Sequence, residues 1–354
     1  MKKELGIWFL TIRTNTGTDI FTKRLVNGLK KQGIRAEISW LPLRAEYAPW
    51  SVPAPKAPAW ATAVHVNTWL HPRFIPRHLP LVATLHHAVH HPDARSYKGW
   101  LRAVYHKYWI APIERRIMQR ADTVVAVSQF VADSARQTLI DTPMQVIYNG
   151  INIEEFKPGH TDRNLEKPFQ LLYVGSWMGR KGVDLLAPIM QGLGDEFELR
   201  YTGGPAAEKD KAYMPSNMID IGRLHGDAAV ADAMRSADAL LFPSRSEGHP
   251  LVAIEAMACG LPVVASRIAP LIEVIDHGET GLLCQLNDVA EFVTAVQALS
   301  TNQVRHDAMR RAGPNSMQER FSEKAMIEKY LKVYRSTGGF GTTTSMSGTA
   351  RVGR

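Results

Sequence analysis

The segment Ser244-Arg-Ser-Glu247-Gly248-His249-Pro250-Leu251-Val252-Ala-Ile-Glu255-Ala-Met-Ala-Cys259-Gly260-Leu-Pro262 joins an apolar strand, Ala239–Phe242, to a helix opening near Pro250. Proline suits a first helical position, because its missing N–H would have no partner there. The amides of Leu251 and Val252, unpaired in such a first turn, are expected to point at a ligand and could hold a phosphate. Glu247 lies in the loop ahead of them and Glu255 inside the helix, so both carboxylates can face one ligand. Taken alone, the pair also fits a solvated Glu255 and a Glu247 that serves the helix dipole.

On either side of this segment, short β-branched runs alternate with amphipathic stretches, the pattern of parallel sheets covered by helices. Strands are expected at 5–10, 35–40, 63–66, 81–86, 123–127 and 145–148, and again at 170–174, 198–201, 218–221, 239–242, 262–265 and 281–284. One helix is expected over about 97–110, with Pro112 starting another, and three more close the pattern at about 288–299, 303–319 and 322–335. Gly150, Pro158, Gly159 and a polar run to Lys167 interrupt the alternation, as linkers do. The domain reading is therefore a Rossmann-like unit over 1–150, a linker over 151–168 and a second Rossmann-like unit over 169–318. A C-terminal helix over 319–335 is expected to pack back on the first unit, and 336–354, rich in Gly, Thr and Ser, to be a disordered tail. Neither first strand is followed by Gly-x-Gly-x-x-Gly, which argues against a nicotinamide dehydrogenase.

The chain of 354 residues carries +8, unevenly: residues 1–160 hold 21 Lys+Arg against 11 Asp+Glu, so the remainder is at −2. Seven of the eight tryptophans also precede residue 160, which suggests two domains with different partners. Two cysteines, Cys259 and Cys284, fit no four-ligand zinc spacing and read as reduced, buried thiols. No stretch approaches the roughly 18 apolar residues of a membrane span, and the apolar start is cut short by Arg13 without a cleavage site. A cytoplasmic location is expected.

The 243–266 region resembles the Glu-x7-Glu signature of the retaining glycosyltransferase family 4, which has the GT-B fold of two facing Rossmann-like, doubly wound parallel-sheet α/β domains. The resemblance covers most of residues 5–335, more closely in the C-terminal half. It implies a retaining hexosyltransferase that takes a UDP- or GDP-linked sugar and passes the hexose to a cell-envelope glycan or glycolipid. It assigns Glu247 to the sugar hydroxyls and Glu255 to the ribose, with Gly248, His249, Pro250, Leu251 and Val252 completing the donor loop. The family often has an aromatic residue or glycine at the position of His249.

Three further segments follow the same resemblance. In Gly175-Ser176-Trp-Met-Gly179-Arg180-Lys181-Gly182, Lys181 matches the family's phosphate-binding lysine, while Ser176 stands where an arginine is usual. Arg180 is expected to supply that charge. Gly17, after the first strand, occupies the family's glycine-rich loop near the diphosphate, and Thr18 or Asp19 is expected to cap the helix that follows. His86 ends a strand within a run of four histidines, and the resemblance places it in the cleft beside the sugar and acceptor. A metal reading of that run is disfavoured, because neighbouring strand residues point to opposite faces. The chain contains no Asp-x-Asp, so neither metal nor cofactor is expected, and a same-face displacement without metal is implied.

Lys98, Trp100, Arg102, Trp109, Arg115 and Arg116 combine cations with interfacial aromatics, which suits an acceptor or an anionic membrane surface on the inner face of the cytoplasmic membrane. Two other functions fit parts of the pattern: another GT-B enzyme such as an epimerase or phosphorylase, and a nucleic-acid-binding protein. The latter leaves Glu247 and Glu255 unexplained, and no nucleic-acid partner is expected.

Overall fold

The computed structural model describes residues 4–92, 99–159 and 168–337. Lys98, the 160–167 part of the expected linker and the tail from residue 338 lie outside the described residues. The first half runs β1 (Gly6–Ile12), α1 (Gly17–Lys31), β2 (Arg35–Leu41), α2 (Arg44–Tyr47), β3 (Ala63–Asn67), β4 (Leu81–Leu85), α3 (Trp100–Tyr105), α4 (Ala111–Arg120), β5 (Thr123–Ala126), α5 (Gln129–Thr138) and β6 (Gln145–Val146). The second runs β7 (Phe169–Tyr173), α6 (Val183–Leu193), β8 (Phe197–Tyr201), β9 (Met218–Asp220), α7 (Gly226–Arg235), β10 (Ala239–Phe242), α8 (Leu251–Ala258), β11 (Val263–Ser266), α9 (Ala269–Ile272), β12 (Gly281–Cys284), α10 (Val289–Ser300), α11 (Gln303–Phe321) and α12 (Glu323–Thr337).

Two six-stranded sheets result, ordered β2-β1-β3-β4-β5-β6 and β12-β11-β10-β7-β8-β9, with every pairing parallel. β1, β3, β4, β10, β11 and β12 are buried along their whole length, as strands covered by helices on both faces must be. That is the two-domain α/β architecture of GT-B proteins. In each sheet the order reverses once, between β1 and β3 in the first and between β7 and β10 in the second. Ligands of open α/β sheets bind beyond the carboxyl ends of the strands at such points.

The chain crosses between domains twice, and the two crossings touch. Ile151 N–H donates to Phe321 O at 2.9 Å, and Glu323 N–H donates to Ile151 O at 2.9 Å. A Cβ on Gly150 would lie 2.6 Å from the Glu323 Cα, so only glycine lets the strands pass this closely. Beyond the second crossing, α12 lies on the N-terminal domain, where Tyr330 and Tyr334 join the core of Phe9, Leu25 and Val82. His65 fixes it there, with Nδ1 2.5 Å from Tyr334 Oη and Nε2 2.9 Å from Thr84 Oγ1.

The helix expected to restart at Pro112 does not break. A π-helical turn over His106–Ile110 joins α3 to α4, and Ala111 N–H donates to His106 O, five residues back. The wider turn accommodates a proline near the start of α4 without a kink-inducing clash. Among the described residues, no helix is long and apolar enough to cross a membrane.

Candidate active site

Both switch points open on the same cleft. On the C-terminal side, the loops after β7 and β10 are locked together: Gly182 has φ +72°, and any Cβ there would collide with the Pro243 carbonyl. Lys181 Nζ consequently reaches Glu247 Oε1 at 2.5 Å, and Ser244 Oγ donates to the same oxygen at 2.6 Å. Both bonds fall on Oε1, so Oε2 keeps its acceptor capacity for a ligand hydroxyl. Burial would raise the Glu247 pKa, but Lys181 and Arg180 outweigh it and hold the carboxyl below its ordinary range. Glu247 is therefore an anion in a buried site. Arg180 donates from Nη1 to the Ser246 carbonyl at 3.2 Å, whereas Ser176 is exposed. The charge of this loop thus sits at Arg180 and Lys181. Gly175 is bracketed by Thr202, whose Oγ1 accepts from Gly175 N–H at 3.0 Å and donates to Gly175 O at 3.2 Å.

Two expectations about the donor loop are corrected. Pro250, at φ −80° and ψ 83°, forms an inverse γ-turn, and the Leu251 amide donates to His249 O at 3.0 Å. It is not free for a phosphate. The His249 ring packs between Tyr148 and Phe321, 5.2 Å from each, beside the two domain crossings. Neither ring nitrogen has a hydrogen-bond partner, and burial pushes its pKa down to about 3, so it is a neutral packing residue.

Glu255 faces the opposite domain. Arg24, on the buried side of α1, donates from Nη2 to Glu255 Oε1 at 3.0 Å and to Asp227 Oδ2 at 2.9 Å. Burial raises the Glu255 pKa to about 7, with Arg24 opposing.

The N-terminal wall starts with the loop after β1. Asp19, expected to cap the helix, instead accepts from the amides of Thr14 at 3.1 Å and Asn15 at 2.8 Å. The N-cap residue of α1 is Thr16, which makes no side-chain cap bond, and the Cα face of Gly17 meets open space. At the end of β4, the His86 ring packs edge-on against Phe21 at 4.7 Å, and its Nε2 lies 3.0 Å from Asn67 Oδ1. Asn67 donates in turn from Nδ2 to Thr11 Oγ1 at 2.8 Å, which orients its carbonyl to accept from His86. Burial pushes the His86 pKa down to about 3, so the imidazole is neutral, with Nδ1 as an acceptor. His90 turns elsewhere, to Glu114 Oε2 at 2.7 Å.

The walls touch at Gly248. Its carbonyl accepts from Ser128 Oγ at 2.8 Å, and a Cβ on it would collide with the His86 carbonyl. Nearby, Glu273, directly after α9, accepts from the amides of Gln129 at 2.9 Å and Phe130 at 2.6 Å, capping α5 of the other domain. Arg24, Asn67, Ser128 and Glu273 were not among the expected site residues. Arg24 and Asn67 left a signal: a cation beside Leu25 on an apolar helix face, and a polar residue ending an apolar strand.

Known proteins match this arrangement on both domains. The model of glycosyltransferase family 4 matches residues 56–155, and that of glycosyl transferases group 1 matches residues 168–302. Each domain thus matches a glycosyltransferase model. The chain is 30% identical to an uncharacterized glycosyltransferase of Methanocaldococcus jannaschii, over 60% of the chain and 59% of that protein. It is 28% identical to the D-inositol 3-phosphate glycosyltransferase of Acidothermus cellulolyticus, over 80% of the chain and 68% of that protein. The matches thus span about three fifths to two thirds of these relatives' lengths. Among solved structures, the sucrose-phosphate synthase of Thermosynechococcus elongatus has a TM-score of 0.75 at 18% identity, covering 95% of this chain and all of that one. Anabaena HepE in complex with UDP-glucose has a TM-score of 0.71 at 16% identity, covering 94% and 100%. These two show the shared GT-B fold.

Proposed function

We propose that this chain is a family 4 glycosyltransferase that transfers a hexose, with retention, from a UDP- or GDP-linked sugar to a cell-envelope glycan or glycolipid. The observation that carries the reading is the buried Lys181–Glu247 pair at the β7/β10 switch point, with the next residue, Gly248, packed against the His86 carbonyl of the other domain. Glu247 Oε2 accepts from a sugar hydroxyl, and Glu255 accepts from the ribose. Lys181 has three N–H donors, so it keeps Glu247 and still donates to a phosphate oxygen. Together with Arg180 it offsets the charge that grows on the leaving diphosphate.

The glycosidic C–O bond to phosphate breaks as the acceptor oxygen bonds the anomeric carbon on the same face, through an oxocarbenium-like state. His86, with a pKa near 3, is too weak a base to take the acceptor's proton. The leaving phosphate oxygen takes it instead, and His86 Nδ1 accepts a hydrogen bond from the sugar or the acceptor. The test is release of UDP or GDP from a panel of nucleotide hexoses, with transfer to membrane-extracted glycolipid and the anomeric configuration read by NMR. Activity is expected to persist in chelator. Loss of activity restored by a divalent metal would refute the metal-free mechanism, and an epimerised sugar without transfer would refute the transferase.

The acceptor is proposed to reside at an anionic membrane surface. Trp100, Leu101, Val104 and Tyr108 form an exposed stripe, continued by Leu43, Tyr47 and Trp50. The two segments are tied by Trp109 Nε1 donating to Glu46 O at 2.9 Å and Tyr105 Oη to Glu46 Oε1 at 3.1 Å. Trp109 is therefore a strut beneath the stripe, and Arg115 donates from Nε to Leu139 O at 2.9 Å. Arg44, Arg102, Lys107 and Arg116 are exposed. Such cations contribute about 1 kcal/mol each near an anionic surface. The chain is expected to sediment with phosphatidylglycerol vesicles at low salt and not with phosphatidylcholine vesicles; no sedimentation with the former refutes the membrane reading.

A further inference from the structure

We propose that Arg245 is a positioning residue that fixes the backbone carrying Arg180 and Lys181, and through it the cation that meets the donor phosphate. This rests on the function proposed above. Arg245 is 9% exposed and ties together loops from three strands. Its Nη1 donates to Gly179 O at 2.6 Å and to Asp184 Oδ1 at 2.5 Å, and its Nη2 donates to Asp184 Oδ2 at 2.7 Å. Its Nε donates to Asn287 Oδ1 at 2.6 Å, in the loop after β12, and its own amide donates to Arg180 O at 2.9 Å. The carbonyls it holds belong to the two residues directly ahead of Lys181. On the far side, Gly182 is jammed against Pro243. Lys181 is thus pinned from both ends.

Two details argue that the fork itself matters. Asp184 is 58% exposed at the side chain while Arg245 is 8% exposed, so water serves the carboxylate readily but the buried guanidinium depends on its protein partners. Asn287 has φ +65°, a conformation costly for most non-glycine residues, and its side chain there bonds Arg245. Lysine in place of Arg245 keeps a charge but has no planar fork to span a carboxylate, a carbonyl and an amide together.

The test is a double-mutant cycle of Arg245→Lys with Lys181→Ala, reading UDP and GDP affinity by calorimetry well below the thermal midpoint. Each single change is expected to weaken the bound nucleotide about 10-fold, and the double variant to be no weaker than Lys181→Ala alone. Asn287→Gly, which tolerates the left-handed backbone but lacks the amide, should lose part of the affinity and be equally non-additive with Lys181→Ala. Fully additive losses overturn the inference, because Arg245 would then act independently of Lys181. The same cycle on the thermal midpoint needs no nucleotide: a double shift smaller than the sum supports the coupling, and an equal one refutes it. If Lys181→Ala leaves nucleotide affinity unchanged, the proposed phosphate role fails, and the thermal cycle still decides for Arg245.

Discussion

Lys181→Ala is expected to lower donor turnover by about 10²–10³-fold, the range found when one preorganised donor to a developing anion is removed. The Lys181 and Glu247 side chains are 14% and 8% exposed, so the change also strands a buried carboxylate. Breaking such a pair costs about 3 kcal/mol of stability. Turnover should therefore be measured at saturating donor, at a temperature where the variant is folded by circular dichroism. Arginine at the same position keeps the charge and should restore part of the rate. A folded Lys181→Ala protein within 10-fold of the parent would remove this lysine from the phosphate.

Gly248→Ala is the second large effect, and its cause lies in the opposite domain. The added methyl has no room, because the His86 carbonyl occupies its place. His86 follows β4 and Gly248 follows β10, so the two domains must part to relieve the clash. Parting them would displace His86 from the proposed sugar site and weaken the Ser128–Gly248 bond. Misplacement of about 1 Å at a reacting centre costs on the order of 10²-fold in rate. Turnover should fall by about that factor, while small-angle scattering registers a larger radius of gyration. Gly99→Ala, whose methyl meets open space, is the matched control. An unchanged rate and radius for Gly248→Ala would mean that the cleft does not need this contact to work.

The strands β1, β3, β4, β10, β11 and β12 were legible because parallel strands covered on both faces read as nearly continuous apolar runs, Val263-Val264-Ala265 being typical. The loops after β7 and β10 were legible for a related reason: glycines and charges crowd where apolar runs stop. What could not be read was anything set by one domain meeting the other. Arg24 and Glu255 are 231 residues apart in sequence, and no local pattern links them. The direction of His249 is likewise decided by Tyr148 and Phe321 at the crossings rather than by its neighbours in the loop. Local rules also misled where a finer turn intervened. Pro250 reads as a helix start with free amides, yet the γ-turn it adopts consumes the Leu251 amide.

The placement of α12 also bears on the order of events during synthesis. Met326, Ile327, Tyr330 and Tyr334 belong to the core of the domain that is translated first, packing on Phe21, Leu25 and Leu29. That core stays incomplete on the ribosome until α12 has emerged, whereas β7 to β12 can close their own sheet earlier. Domains commonly fold in order from the amino terminus during translation. Here α12 reverses that order: the second domain has the means to be finished while the first still waits for this wall.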